Sequence, residues 1–183
     1  YDAVKAVCEI DGIERVRLGS IEPERMTGDI LLKLSQEAKF CPHFHLSLQA
    51  GCDSTLKRMH RHYDTALFRS KVEKISTTMP HAFIGVDLIV GARGETPERF
   101  ELSRQFVESL DISRLHIFTY SERPGTKALN IEHIVDQAEK HRRTRIMLDI
   151  SERKLRDFSN RFIGTTRPVL LEHPRRNKPM SGF

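Results

Sequence analysis

The sequence predicts an α/β protein: about four parallel βα units that form a partial barrel, followed by the start of a small β domain. Short apolar runs alternate with longer segments of helical period. The four predicted strands begin about 29, 39 and 32 residues apart, close to the length of one βαβ unit. Residues 83–90 are apolar almost throughout, apart from Asp87, as expected for a strand that is covered on both faces.

The first half of the chain is predicted to contain two of these strands. A helix over residues 1–10 precedes a strand that includes Val16 and Leu18 and ends at Gly19. Thr27 has the residue type and position of a helix cap, and the next strand covers residues 44–48. A short helix follows Asp53, and Asp64 is predicted to cap a longer one.

In the second half, residues 83–90 and 115–120 are the third and fourth strands. Thr96-Pro97 is a cap followed by proline at the first helical position, and this helix is expected to reach residue 110. A long basic helix is predicted over residues 136–159, and residues 168–172 are predicted to open a new strand. We therefore divide the chain into a barrel segment, residues 1–162, and the beginning of a β domain, residues 163–183.

Composition and charge limit the functional classes. From residue 139 to residue 183 there are 12 Lys or Arg against 5 Asp or Glu, which favours an anionic partner such as nucleic acid or, equally, a solvated helix face. Cys8, Cys41 and Cys52 are too scattered for a disulfide framework, and a reduced, cytosolic setting is expected. No apolar run approaches the ~18 residues of a membrane span.

The candidate site residues follow the predicted strands. In parallel βα folds the carboxyl ends of the strands and the loops after them form the ligand site. Each of the four ends here combines glycine or proline with a carboxylate, amide or guanidinium group, although the same residues also build turns and helix caps. The four strand ends cover residues 19–23, 47–51 together with 57–63, 91–96 and 120–126.

Three other polar positions allow more than one interpretation. Asp87 needs a partner inside its strand, and a structural ion pair is as compatible with the sequence as a ligand contact. His43 and His45 alternate along a strand and are interpreted as core or barrel-lumen histidines, because no third metal ligand lies nearby in sequence. The basic stretch at residues 57–62 could bind phosphate or carboxylate, or could be a solvated loop.

Several runs together resemble the radical S-adenosylmethionine methylthiotransferases. The first run, Leu-Gly-Ser-Ile-Glu-Pro at residues 18–23, is most similar to the branch that acts on threonylcarbamoyladenosine in tRNA. The match extends over nearly the whole chain, and Ala92-Arg93 departs from the Phe-Pro that the family usually has there. The runs that carry the resemblance are residues 15–23, 41–51, 56–59, 85–91, 94–96 and 118–126.

The resemblance implies a three-part enzyme with two 4Fe-4S clusters, a radical barrel and a C-terminal TRAM-like domain that binds tRNA. Such enzymes cleave S-adenosylmethionine to a radical that abstracts hydrogen from a modified adenosine next to the anticodon, where a methylthio group is then installed. The Cys-x-x-x-Cys-x-x-Cys motif that holds the catalytic cluster is missing from these 183 residues, which begin at Tyr1. The chain is therefore expected to be an inactive piece that cannot hold the cluster.

The resemblance also implies the ligand contacts. S-adenosylmethionine would be bound through polar groups for its ribose and methionine head, with apolar residues beside its adenine, and Arg61 would suit the carboxylate. No residue is assigned a catalytic or metal-binding role. The predicted cofactor contacts are Ser20, Glu22, Gln49, Arg61, Ile89, Val90, Gly91 and Tyr120. The predicted tRNA phosphate contacts are Arg142, Arg143, Arg175, Arg176 and Lys178.

Two alternatives remain open at this point. The chain could be a nucleic-acid binding module without catalysis, or it could belong to a branch that acts on isopentenyladenosine in tRNA or on a ribosomal protein. No membrane partner is expected. Unpaired strands at the edges of a partial barrel also make self-association a plausible property.

Overall fold

The computed structural model describes residues 1–171 and confirms the predicted class, a single parallel sheet with helices packed against it. Its four strands lie in the order in which they occur along the chain, β1-β2-β3-β4. The strands are β1 (Ser20–Ile21), β2 (His43–Gln49), β3 (Phe83–Val90) and β4 (Arg114–Thr119). The helices are α1 (Asp2–Cys8), α2 (Gly28–Gln36), α3 (Asp53–Arg58), α4 (Thr65–Thr78), α5 (Pro97–Ser109) and α6 (Gln137–Asn160), with 3-10 turns at Pro23–Arg25 and Lys127–Asn130.

Four helices begin at a side-chain cap. In each case the oxygen of the capping residue accepts a hydrogen bond from the backbone N–H three residues later, which satisfies one of the free donors of the first turn. The bonds are 2.7–3.4 Å long. The capping residues are Thr27, Asp64, Thr96 and Asp136.

The first strand differs from its prediction. β1 is Ser20–Ile21, whereas the strand was expected to end at Gly19; Val16 forms only an isolated bridge with Phe40. The pairing then shifts by one residue, because Ser20 lies opposite His45. Pro42 lies between the two paired positions, Phe40 and His45, and has no N–H to donate to the ladder. Its missing donor accounts for the gap between the two pairings. The ladder therefore resumes closer to the strand's carboxyl end.

The two faces of the sheet differ in chemistry. One face packs against the helices: Phe44, Leu46 and Val86 are fully buried, and Phe68 and Ile75 of α4 belong to the same core. Each such side chain stabilises the fold by about 1.5–3 kcal/mol through burial. The opposite face carries the polar residues of β2 and β3, which alternate along each strand with the buried apolar ones.

The long helix α6 closes the sheet beside β4. Ser151 of α6 bonds both the N–H and the carbonyl of Leu115 in β4 at 3.0 Å, and Met147 and Ile150 are buried beneath it. After α6 the chain turns at Gly164, and Val169 and Leu171 are exposed. Among residues 1–171 no helix is both long enough and apolar enough to cross a membrane.

The predicted β domain at residues 163–183 stays a prediction. Residues 163–170 form no strand, and residues 172–183, including Glu172 of the expected strand, lie outside the described residues. Three of the predicted tRNA contacts, Arg175, Arg176 and Lys178, are in that same segment.

Candidate cofactor and nucleic-acid site

The carboxyl ends of β2, β3 and β4 meet at one edge of the sheet. Gln49 pairs with Leu88, and Val90 pairs with Thr119. The N–H of Tyr120 donates a 2.8 Å hydrogen bond to the carbonyl of Val90, which extends the pairing by one residue. Three of the predicted contacts, Gln49, Gly91 and Tyr120, therefore follow one another along this edge.

Gln49 has a backbone conformation that side chains rarely adopt. Its φ is 67°, and the β2–β3 register shifts between Ser47 and Gln49. Such a conformation costs about 1–3 kcal/mol and is found most often at ligand sites, where the surrounding structure enforces it. The strain re-aims the amide of Gln49 at the point where the sheet ends.

Tyr63 supports this distorted strand end, and the sequence reasoning missed it. Its hydroxyl donates to the carbonyls of Ser47 (2.6 Å) and Leu48 (3.2 Å), and the side chain is buried. Burial raises the pKa of Tyr63, so the hydroxyl stays protonated and keeps donating. A buried tyrosine needs a polar partner for its hydroxyl, and this requirement is the sequence signal that could have identified Tyr63.

The loop after β1 is held by an ion pair between two predicted contacts. Arg61 Nη1 donates to Glu22 Oε1 at 2.7 Å, and both side chains are partly exposed. The Nε–H of Arg61 is buried and has no hydrogen-bond partner within residues 1–171. Because this nitrogen is buried, a ligand would reach Arg61 through its terminal N–H groups, and the side chain is 27% exposed.

These residues fit the S-adenosylmethionine that the resemblance implies. Its carboxylate could accept from the terminal N–H groups of the partly exposed Arg61, and the amide of Gln49 could serve the amino-acid head or the ribose. A 4Fe-4S cluster does not fit the described residues. Cys8 and Cys52 are buried and separate, Cys41 is partly buried, and no group of metal-ligating side chains occurs among residues 1–171.

The turn after β3 is held by hydrogen bonds to the buried side chain of Glu95. Gly91 has a φ of 78° and donates its N–H to Glu95 Oε2 at 2.7 Å. Arg143 of α6 donates to the same carboxylate oxygen at 2.9 Å and to the carbonyl of Glu95 at 2.7 Å. Burial raises the pKa of Glu95, and the bonds from Gly91 and Arg143 oppose that rise.

Two side chains in this region are not where the sequence placed them. Arg143 is 1% exposed and bonded to Glu95 and Glu139. It therefore does not lie on the protein surface, where a contact with tRNA phosphates was predicted. Val90 is also 1% exposed and belongs to the core on the helix-covered face. Ile89, one residue earlier, is partly exposed on the opposite face, as the alternation of a strand requires.

Tyr120 and the turn after β4 border a cavity of about 100 Å³. Arg93, one of the two residues that depart from the family pattern, crosses this region: it donates to Glu122 at 2.5 Å and to the carbonyl of Leu129 at 2.6 Å. The Thr55 hydroxyl on the cavity wall is buried and has no partner among residues 1–171. The lining residues are Thr55, Arg58, Met59, Ala92, Arg93, Tyr120, Ala128 and Ile131.

The face of the sheet opposite the helices holds a hydrogen-bonded polar cluster, which we call the Asp87 cluster: Ser20, His45, Ser47 and Asp87. Asp87 Oδ2 accepts from the hydroxyl of Ser20 at 2.7 Å, and Asp87 Oδ1 lies 2.6 Å from His45 Nε2. The His116 ring is centred 4.5 Å from that of His45, and burial lowers the pKa of His116. The partner that Asp87 was expected to need is therefore His45, together with Ser20.

Two of the predicted tRNA contacts, Arg142 and Arg143, lie within residues 1–171, and of these two Arg142 is on the surface. Its side chain is 58% exposed and pairs with Glu139, three residues earlier in α6. The bonds from Arg142 and from Arg143 together lower the pKa of Glu139 to about 2. An exposed pair of this kind is weak and can exchange for a phosphate.

Comparisons with known proteins agree with the resemblance seen in the sequence. The chain is 37% identical, over an alignment of 186 positions, to the threonylcarbamoyladenosine tRNA methylthiotransferase MtaB of Thermotoga maritima; all of this chain and 42% of that protein are covered. The MtaB of Bacillus subtilis is 31% identical, with 94% of this chain and 39% of that protein covered. No protein-family profile matches the chain.

A second group of relatives carries a different name. The tRNA-2-methylthio-N(6)-dimethylallyladenosine synthase of Corynebacterium jeikeium is 36% identical over 169 residues, which cover 92% of this chain and 33% of that protein. Among solved structures, coproporphyrinogen III oxidase (HemN) from Escherichia coli, a radical SAM enzyme, is similar in fold. Its TM-score is 0.57 at 20% identity, over 82% of this chain and 34% of that one. The chain thus spans less than half the length of each of these proteins.

Proposed function

Because this chain belongs to the radical S-adenosylmethionine methylthiotransferase family, we propose that it forms the part of a tRNA-modifying enzyme that binds S-adenosylmethionine. The observation that carries the proposal is the arrangement at the sheet edge. Gln49, Gly91 and Tyr120 follow one another there, and the partly exposed guanidinium of Arg61 is held by Glu22. The whole enzyme would add a methylthio group to a modified adenosine next to the anticodon.

The modified base is proposed to be threonylcarbamoyladenosine. The Leu-Gly-Ser-Ile-Glu-Pro run supports this branch, as does the relative from Thermotoga maritima, whose match covers the entire chain. Dimethylallyladenosine is the second candidate, because the Corynebacterium synthases are almost equally similar. Nucleoside analysis of tRNA from a strain without the gene distinguishes them: the first proposal requires loss of the methylthio group from threonylcarbamoyladenosine alone.

In this proposal the chain's own residues bind and orient the cofactor. Arg61, already fixed by Glu22, binds the carboxylate of the methionine part, and Gln49 and Ser20 bond the amino-acid head and the ribose. Ile89, Gly91 and Tyr120 lie beside the adenine, with the glycine allowing close approach of the backbone. When bound together with the cluster, S-adenosylmethionine supplies the radical chemistry, while the protein supplies positioning.

Two further parts of the proposal concern what lies outside this site. The cluster would be held by cysteines elsewhere in the enzyme, so the 183 residues by themselves would be inactive. The tRNA would contact Arg142 and the basic residues Arg175, Arg176 and Lys178, in the cytoplasm, where tRNA is modified. A nucleic-acid binding module without catalysis would bind tRNA but not S-adenosylmethionine.

The test is the affinity for S-adenosylmethionine, measured by calorimetry on the complete gene product with its clusters reconstituted. Arg61→Ala and Gln49→Ala should each weaken binding roughly tenfold or more, because each removes a bond to a charged or strongly polar group. Lys57→Ala, in the same basic stretch, is the matched control and should bind like the parent. Unchanged affinity in both site variants, or no binding by the parent, would contradict the proposed S-adenosylmethionine site.

A further inference from the structure

We propose that Asp87 and His45 are positioning residues for Ser20, and that they present the Ser20 hydroxyl as a hydrogen-bond acceptor to a ribose hydroxyl of S-adenosylmethionine. This rests on the proposed function, because Ser20 is one of its cofactor contacts. Neither Asp87 nor His45 is itself a proposed contact.

The geometry of Asp87 leaves no oxygen unused. Its side chain is 10% exposed, one oxygen accepts from Ser20 at 2.7 Å, and the other is 2.6 Å from His45 Nε2. An ionised carboxylate only accepts hydrogen bonds, so His45 must carry its proton on Nε2. Asp87 thus ties β1 and β2 to the central strand β3 through side chains.

The direction of the Ser20 bond determines what Ser20 offers to a ligand. A serine hydroxyl has one hydrogen, and here that hydrogen is given to Asp87. The Ser47 hydroxyl, 3.3 Å away, can only donate to Ser20, which still leaves one lone pair of Ser20 free. Ser20 is exposed, so this lone pair is accessible, and its complement is an O–H donor such as a ribose hydroxyl.

The position of Ser20 explains why such a tie is needed. β1 contains only Ser20 and Ile21 and pairs with β2 alone among the described strands. A two-residue strand contributes few ladder bonds, so its side chains are weakly fixed by the sheet itself. The bonds to Asp87, which is braced by His45, supply the missing restraint two residues before Glu22, the partner of Arg61.

The test is a double-mutant cycle on the affinity for S-adenosylmethionine in the complete, reconstituted gene product. Asp87→Ala and Ser20→Ala should each weaken binding about tenfold, and the double variant should be no weaker than either single one. Asp87→Asn should retain most of the affinity, because its amide oxygen still accepts from Ser20 and its N–H2 can donate to His45 in the other tautomer. His45→Gln keeps an N–H donor and should bind S-adenosylmethionine more tightly than His45→Leu does.

Ser35→Ala is the matched control. It removes a serine hydroxyl that bonds the carbonyl of Leu32 in α2 and takes no part in the Asp87 cluster. Its affinity should equal that of the parent, and urea unfolding of every variant separates loss of binding from loss of fold. A merely structural role for Asp87 would give additive losses in the double variant, or equal losses in Asp87→Asn and Asp87→Ala, and either outcome overturns the inference.

Ligand analogues sharpen the result. With the 2'-deoxy or the 3'-deoxy form of S-adenosylmethionine, whichever lacks the bonded hydroxyl, Asp87→Ala should cause no further loss of affinity. A full tenfold loss with both analogues contradicts the acceptor role of Ser20. If the parent protein binds no S-adenosylmethionine at all, the proposed function itself has failed, and this outcome is distinct from the others.

Discussion

Arg143 shows how the environment of one residue can reverse its expected role. It is a cation in a basic helix, yet its guanidinium is buried between Glu95 and Glu139 and lies over the ring of Phe100. Burying these charges is favourable only because each finds a partner and further hydrogen bonds. Arg143 therefore belongs to the support of the turn after β3.

This assignment predicts a large effect on stability. Arg143→Ala should lower the free energy of unfolding by about 3–5 kcal/mol, because Glu95 is left buried without its cation. Arg142→Ala, one residue earlier and exposed, should change it by less than about 1 kcal/mol. Urea unfolding measures both, and equal effects in the two variants would show that Arg143 is not the buried partner.

His43 predicts a pH dependence. Burial is the main cause that lowers the pKa of His43 to about 4, from an ordinary value of 6.5. Between these two pH values the unfolded chain binds a proton at His43 that the folded protein does not bind, so stability falls as the pH is lowered through that window. At neutral pH the residue is uncharged in both states, and this contribution disappears.

His43→Phe should therefore flatten the pH dependence of the free energy of unfolding between pH 6.5 and pH 4, while keeping the stacked ring contact with Phe83. His62→Gln, at an exposed position in the basic stretch, is the control and should retain the slope of the parent. A slope that is identical in His43→Phe and the parent would contradict the role of burial at this histidine.

At the scale of the elements, α6 supports two of the loops that form the sheet edge. Lys140 donates to the carbonyl of Tyr120 at 3.2 Å, and its aliphatic stem passes directly under Gly91. Arg143, one turn later, is bonded to Glu95. The first turns of α6 thus connect the end of β3 to the end of β4, and glycine at position 91 leaves room for the lysine.

Gly91→Ala tests this packing. An added Cβ would lie 2.4 Å from Lys140 Cγ, in addition to the strain of an alanine at φ 78°. The variant should lose clearly more stability than Gly125→Ala, where φ is 76° but no atom lies within 4 Å of the added Cβ. We expect about 1 kcal/mol for the conformational strain alone in Gly125→Ala. Thermal or urea unfolding compares the two, and equal losses would argue against contact with Lys140.

For the molecule as a whole, each outer strand of the described sheet pairs with one strand, and α6 covers the β4 edge in part, at Leu115. Among residues 1–171, β1 and β4 each pair with a single strand, and Phe118 of β4 is 55% exposed. Unpaired edges with apolar side chains promote association between chains. We propose that this 183-residue chain, taken alone, self-associates through the β4 side.

Sedimentation of the 183-residue chain measures this property. The parent should show concentration-dependent association, and Phe118→Lys should reduce it, because a lysine on an edge strand opposes pairing. Leu148→Lys, at an exposed apolar position on α6, is the control and should associate like the parent. A monomeric parent at all concentrations contradicts the proposal.

Local signals made most of the elements predictable. Thr27, Asp64, Thr96 and Asp136 identify helix starts because a cap acts within three residues, and β3 was identified by its apolar run. The strand-end loops could be found for the same reason, since glycine and polar residues follow each run directly. The predicted β domain beyond residue 162 remains a prediction.

The features that could not be predicted from the sequence depend on contacts between residues that are distant along the chain. Arg143 and Glu95 are 48 positions apart, and Ser20 and Asp87 are 67 apart, so no local pattern reveals their bonds. The shift of β1 follows from its pairing with β2. The role of Tyr63 follows from its bonds to the carbonyls of Ser47 and Leu48, which lie beside the register shift. Periodicity specifies which face of an element is apolar, whereas the partner of a buried polar group depends on how the elements are packed.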